Sequence, residues 1–209
     1  MQQPSPAARL FDAIAEEYES AFAASEGRRQ SVAWLLGELP PGSRVLDIGS
    51  GTGRPVAAAL AGSGHRVTGL DVSPVMVELA SRHVPDARFL LADIRTHEPE
   101  PGHYDGVCSY FSLLQMTRAE QRAVLARAAA ALVPGGVCAL ATVPLDLDGV
   151  EGRWMGHEVT FTSFSTEAFV HLVEEAGLSV AEVREEEFTP ATELASPEPQ
   201  LYVHCRRPL

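Results

Sequence analysis

Apolar residues in the N-terminal part recur at helical spacing. Leu10, Phe11, Ile14, Tyr18 and Phe22 share one face of a helix predicted over 7–24. A second helix is predicted from Arg28 to Leu39, stopped by Pro40-Pro41-Gly42. Short apolar runs then alternate with amphipathic stretches. Strands are predicted at 44–48, 65–70, 87–92, 104–109 and 137–143. Helices are predicted between them at 57–61, 73–83 and 117–132. Ser73 caps the second of these, with Pro74 at its first position. Thr117 and Glu120 form a capping box at the start of the third. Residues 144–158 show no clear period and read as a long loop. A helix over 166–176 follows, then strand-like runs at 178–188 and 201–205, joined by a Pro-rich connection over 190–199. The alternation implies an α/β domain with a parallel sheet and helices on both faces.

Composition narrows the chemistry. The 209 residues suit one domain with a sizeable core. All 16 basic residues are Arg. The absence of Lys excludes a phosphate-loop Lys, a Lys-bound pyridoxal and a Lys-based aldolase. The net charge is −12. Residues 1–143 hold 15 acidic side chains and 12 Arg, whereas residues 144–209 hold 13 and 4. That acidity argues against nucleic acid and anionic membranes as partners, and modestly against anionic acceptors. Cys108, Cys138 and Cys205 lack metal-ligand spacing, and no metal site is expected. They fit a reduced, cytoplasmic protein. Residues 1–11 carry no long apolar stretch, so no signal peptide is expected, and no window of the chain approaches about 18 consecutive apolar residues, so no membrane span is expected.

The chemistry concentrates at residues 45–53, where a strand runs into Gly49-Ser50-Gly51-Thr52-Gly53. Closely spaced glycines let a ligand approach the backbone. Helix N–H groups beyond them can hold an anionic group. Asp71 closes the second strand, 22 residues after Gly49, where a carboxylate can accept from both ribose hydroxyls. Asp93 follows the third strand, where a carboxylate can accept from an adenine amino group. The dinucleotide fingerprint needs glycine at position 54, and Arg54 stands there.

These landmarks, with Tyr104-Asp105-Gly106-Val107 and Pro134-Gly135-Gly136, resemble the class I S-adenosylmethionine-dependent methyltransferases. The resemblance covers about residues 43–143. It implies a Rossmann-like, seven-stranded, mostly parallel sheet in the order 3-2-1-4-5-7-6, with strand 7 antiparallel. Residues 1–40 become an N-terminal helical cap, 43–143 the cofactor-binding core, and 144–209 the acceptor loop and closing strands. S-adenosyl-L-methionine is the implied cofactor. By the resemblance, Gly49, Ser50, Gly51 and Gly53 line its methionine half, and Asp47 orients that loop near the amino group. Asp71 binds the ribose, with Val72 and Met76 packing near the adenine. Asp93 and Ile94 read the adenine, and Ser109 faces the methionine part by its backbone. Tyr18 lies where small members bring a tyrosine over the cofactor. Arg54 either pairs with the cofactor carboxylate or is solvated, and Asp105 is structural.

The expected activity is methyl transfer to an oxygen or nitrogen of a small-molecule acceptor. The segment after the fourth strand, Tyr110 to Met116, lacks the Asn/Asp-Pro-Pro-Tyr of base amino-methyltransferases and a Pro-Cys pair. Its aromatics are candidates for an acceptor wall, and Gln115 for orienting a polar acceptor. The loop from Gly152 to Glu158 is the other candidate wall, with His157 as candidate base. A monomer or homodimer is expected. The competing readings are a nicotinamide-dependent oxidoreductase and a non-catalytic cofactor-binding module.

Overall fold

The computed structural model describes residues 5–209; residues 1–4 of the expected cap and leader-free start lie outside them. Two helices come first, α1 (Pro6–Phe22) and α2 (Glu26–Glu38). Ser5 and Ser25 cap them by accepting from the N–H groups of Ala8 and Arg28. The alternating part contains β1 (Arg44–Ile48), α3 (Val56–Gly62), β2 (Arg66–Asp71), α4 (Pro74–His83) and β3 (Arg88–Leu91). It continues with β4 (Tyr104–Tyr110), α5 (Arg118–Ala131) and β5 (Leu132–Thr142). Ser73 caps α4, and Thr117 with Glu120 forms the capping box of α5, as their sequence positions predict.

The chain then departs from the expectation. Residues 144–158 are not a plain loop, because they enter a hairpin of β6 (Val150–Trp154) and β7 (His157–Phe161). Its two-residue turn, Met155-Gly156, has φ of 50° and 79°. Positive φ at both positions matches the twist of a tight hairpin. Met155 and Val159 then bury against Leu10, Ile14 and Phe22 of α1. The fold closes with α6 (Thr166–Glu175), β8 (Ser179–Phe188) and β9 (Glu198–Arg206).

Seven strands form one sheet in the order β3-β2-β1-β4-β5-β9-β8. With the separate hairpin left out of the count, this is the order 3-2-1-4-5-7-6. The first five strands pair in parallel, and β9 runs antiparallel to both β5 and β8. Period-two alternation builds a core on each face. From β5, Val137, Ala139 and Ala141 pack with Leu35 of α2 and Leu60 of α3. Cys138 and Leu140 point to the other face, with Leu125 of α5 and Phe169 of α6. Each fully buried Leu or Phe contributes roughly 1.5–3 kcal/mol relative to exposure. All three cysteines are buried and free. Among the described residues no helix is long and apolar enough to cross a membrane.

Strand order reverses between β1 and β4, since the chain moves outward to β3 before returning. Such a switch point opens a crevice at the carboxyl ends of the strands. Helix α1 and the β6–β7 hairpin pack together across that end, and both line the cavity beneath them.

Candidate functional site

A cavity of about 550 Å³ lies at the switch point. Gly49 and Gly51 line it from the loop after β1, and Asp71 and Val72 from the end of β2. Met76 enters from α4, Asp93 and Ile94 from beyond β3, and Tyr18 from α1. Eight sequence-predicted cofactor residues therefore reach one chamber.

Gly49 and Ser50 donate backbone N–H groups to Leu70 O at 2.8 and 3.0 Å, tying the loop to β2. Gly49 has φ of 73°, and a Cβ there would collide with the Ser112 side chain. Asp71 braces the same loop. Its Oδ2 accepts from Gly51 N and its Oδ1 from Ser73 N, each at 2.9 Å. Burial raises the Asp71 carboxyl, while these backbone hydrogen bonds oppose the rise. Two oxygens with spare lone pairs remain able to accept from a diol.

Asp93 is held differently. Arg95 donates from Nε to both carboxylate oxygens at 3.0 Å and from NH2 to Oδ2 at 2.7 Å. Partial burial works to raise this carboxyl, but the Arg95 hydrogen bonds and charge hold it below the usual value. Arg95 also reaches Glu120 Oε1 at 3.2 Å, and both residues line the cavity. Sequence reasoning missed this pair. Its signal was present in the spacing Asp93-Ile94-Arg95.

Four expected cofactor residues stand behind the cavity wall. Asp47 is 2% exposed, and its Oδ1 faces Cys108 Sγ at 3.5 Å. Its Oδ2 has no partner among the described residues, and burial pushes its pKa up to about 7. Ser50 is buried, with its Oγ 2.7 Å from the position a Cβ on Gly69 would take. Gly53 packs on α4, where an added Cβ would lie 3.1 Å from Val84 Cγ2. Its positive φ of 80° serves the turn, so the chain path explains this glycine without ligand contact. Ser109 Oγ meets Ser112 Oγ at 2.6 Å, and Ser112 Oγ donates to Ile48 O at 2.9 Å. Ser112, absent from the sequence candidates, is thus the residue that locks the post-β4 segment to the glycine loop. Arg54 lies 3.9 Å from Glu19 at a largely exposed position. Asp105 accepts from the Arg44 backbone N at 2.8 Å, in keeping with its structural reading.

A second cavity of about 300 Å³ adjoins the first. Tyr18, Phe111, Ser112 and Gln115 line both. Gln115 therefore stands at the junction. Trp154 reaches the second cavity and Glu158 the first, but His157 lines neither. His157 pairs with Trp154 beside the hairpin turn and is exposed to solvent. The candidate base is thereby separated from the chemistry it was assigned, because the expected loop is a hairpin that ends at this residue.

Sequence reasoning also missed Arg28. It is 6% exposed, its guanidinium lies 5.6 Å from the Phe111 ring centroid, and Nε and NH2 have no partner among the described residues. Arg28, Ser31, Val32 and Leu35 share the buried face of α2, so an arginine on an apolar stripe was the available signal. Burial raises the Tyr18 hydroxyl, and the Arg28 charge opposes that rise.

Comparison with known proteins agrees with this geometry. The family model described as Methyltransferase domain matches residues 45–136. A trans-aconitate 2-methyltransferase of Delftia acidovorans is 34% identical over 116 residues, covering 54% of this chain and 43% of that protein. The chain thus spans less than half the length of the curated relatives it matches first. A methyltransferase structure from Methanosarcina mazei superposes with a TM-score of 0.74 at 17% identity, covering 83% of this chain and 96% of that one. The Burkholderia thailandensis 1,6-didemethyltoxoflavin-N1-methyltransferase, solved with its substrate and S-adenosylhomocysteine, gives a TM-score of 0.69 at 20% identity. That likeness covers 100% of this chain and 94% of that one. Landmark residues, strand order and family match converge: residues 45–136 match a methyltransferase domain, and the chain has the Rossmann-like methyltransferase fold.

Proposed function

We propose that the protein transfers a methyl group from S-adenosylmethionine to an oxygen or nitrogen of a small-molecule acceptor. One observation carries the reading. The glycine loop, Asp71 and Asp93, from the ends of three neighbouring strands, line a single chamber that opens onto a second one.

The residues fit the cofactor. Asp71 would take the ribose hydroxyls, and Val72, Met76 and Ile94 offer apolar contact to the adenine. Asp93, held by Arg95, keeps acceptor capacity toward an amino group. Gly49 and Gly51 would let the methionine part lie close to the backbone, and Tyr18 would cover it from α1. Behind the loop, Asp47 supplies a buried carboxyl whose free oxygen suits a nearby ammonium. When bound, the cofactor supplies a methyl group on a sulfonium, an electrophile with a good leaving group.

The protein then has to align and exclude. Helix α1 and the hairpin line the chamber and would limit the access of water, and Gln115 at the junction would orient the acceptor's polar group. Alignment of this kind can replace much of the entropic barrier of a two-body reaction. No histidine lines either cavity among the described residues, so a base, where the acceptor needs one, would be a carboxylate such as Glu158. The second cavity presents Arg153 beside Glu193 and Glu198. That balance does not suit a polycarboxylate such as trans-aconitate, the acceptor in the Delftia relative's name. The acceptor chamber also argues for a catalyst over a cofactor-binding module. We read the chain as one methyltransferase domain, acting as a monomer or homodimer.

The activity is tested by supplying S-adenosylmethionine with a panel of small hydroxyl and amine compounds and measuring S-adenosylhomocysteine. Acceptor-dependent product supports the proposal, and tight cofactor binding without turnover on any compound favours the binding module. A second expectation concerns protons. Asp47, with a pKa near 7, is partly protonated at pH 6.5 in the free protein. An ammonium beside it favours the ionised form, so S-adenosylhomocysteine binding should release protons there. Calorimetry in buffers of different ionisation enthalpy reads this directly. Heats that do not change with buffer would separate Asp47 from the ammonium.

A further inference from the structure

The second cavity has a composition of its own. Trp154 anchors one wall, with ring centroids 5.9 Å from Tyr18, 5.7 Å from Phe22 and 6.3 Å from Phe161. Rings in such arrangements offer faces and edges to a flat guest and few hydrogen bonds. Other parts of the lining are aliphatic, from Val143, Leu147 and neighbours. Leu145 and Leu194 also line it, yet are 50% and 49% exposed. Large apolar side chains left in water around a cavity make a rim that favours an apolar visitor. At about 300 Å³ the space is at the small end of ligand sites, enough for one ring system and its substituent.

Its charge is equally specific. Glu193, Glu198 and Arg153 are the charged side chains that line it among the described residues. Arg153 is turned to its own hairpin, with Nε donating to Gly156 O at 3.2 Å. Glu198 opens β9, and Gln200 Nε2 donates to its Oε1 at 2.9 Å. Among the described residues no other side-chain hydrogen bond is made to it, and Glu198 lines the cavity. Burial raises the Glu198 carboxyl, while the Gln200 hydrogen bond and the Arg28 charge behind the wall oppose this. A carboxylate in an aromatic chamber rewards a donor and repels an anion.

We infer that this chamber receives an aromatic ring compound bearing an amine, with its ring against Trp154 and its amine on Glu198. The inference rests on the proposed function for the direction of methyl transfer, since Tyr18, Ser112 and Gln115 join this chamber to the cofactor cavity. Glu198 is a binding residue here and needs no part in the displacement itself.

The test uses the full chain and three probes that share a ring and differ in charge: tryptamine, indole and indole-3-acetate. Each is titrated by calorimetry with and without saturating S-adenosylhomocysteine. Tryptamine is expected to bind at least about tenfold tighter than indole-3-acetate, the scale of one charge-assisted hydrogen bond. Glu198→Gln should bring the two within about threefold while S-adenosylhomocysteine affinity stays at the wild-type value, which also shows that the variant is folded. Tighter binding of indole-3-acetate, an unchanged ratio in Glu198→Gln, or no binding of any probe overturns the inference. The tryptamine preference without S-adenosylhomocysteine binding would uphold this chamber and overturn the cofactor reading.

Discussion

Asp71→Ala is expected to weaken S-adenosylhomocysteine binding by roughly 10- to 100-fold, the range for a lost hydrogen bond to a charged group. Asp71 does two jobs in the structure. It faces the cavity with a buried carboxylate, and it holds Gly51 N and Ser73 N at 2.9 Å. Alanine removes the acceptor for the diol and also leaves two loop N–H groups short of a partner. Burial already makes ionisation of Asp71 costly, so part of what is lost in bracing is offset by removal of a buried charge. The folded state should therefore lose less than the cofactor complex. Asp71→Asn keeps the shape and one acceptor, and should fall between wild type and Asp71→Ala. Calorimetry with S-adenosylhomocysteine measures all three. An affinity unchanged in Asp71→Ala would remove the ribose assignment.

Gly49→Ala should be the more damaging change to the protein itself. Gly49 sits at φ of 73°, where a Cβ costs about 1–2 kcal/mol. That Cβ would also run into Ser112, which is held in place by hydrogen bonds to Ile48 O and Ser109 Oγ. Overpacking of this kind costs typically about 1–3 kcal/mol more. Gly51 is the matched control, because it has φ of 53° but nothing within 4 Å of an added Cβ. Urea unfolding should show a loss of roughly 2–5 kcal/mol for Gly49→Ala and of only about 1–2 kcal/mol for Gly51→Ala. Equal losses would mean that Ser112 yields and does not lock the loop.

The candidate residues that gather at the first cavity were legible because their signals are local. Glycines at positive φ, an acid at the end of β2 and capping serines each announce themselves within a few residues. The alternation gave a parallel α/β sheet, and the family resemblance supplied its strand order and the reversed strand. The acceptor half depends on tertiary packing. The hairpin strand Val150–Trp154 carries exposed Glu151 and Arg153 and a weak alternation, and becomes ordered by burying Met155 and Val159 on α1. His157 looked catalytic beside Trp154 and Glu158 in sequence, but the turn leaves it in solvent. Arg28, Ser112 and Glu198 were missed for the same reason, since their roles come from neighbours distant along the chain: Phe111, the glycine loop and the Trp154 wall.

The central claim is that the chamber at the β1–β4 switch point is built for S-adenosylmethionine and its product. Its most direct test is calorimetry of the unmodified protein with S-adenosylhomocysteine and, separately, with NAD. One saturable site for S-adenosylhomocysteine and no measurable heat with NAD is the predicted result. Saturable binding of NAD with none of S-adenosylhomocysteine would contradict it.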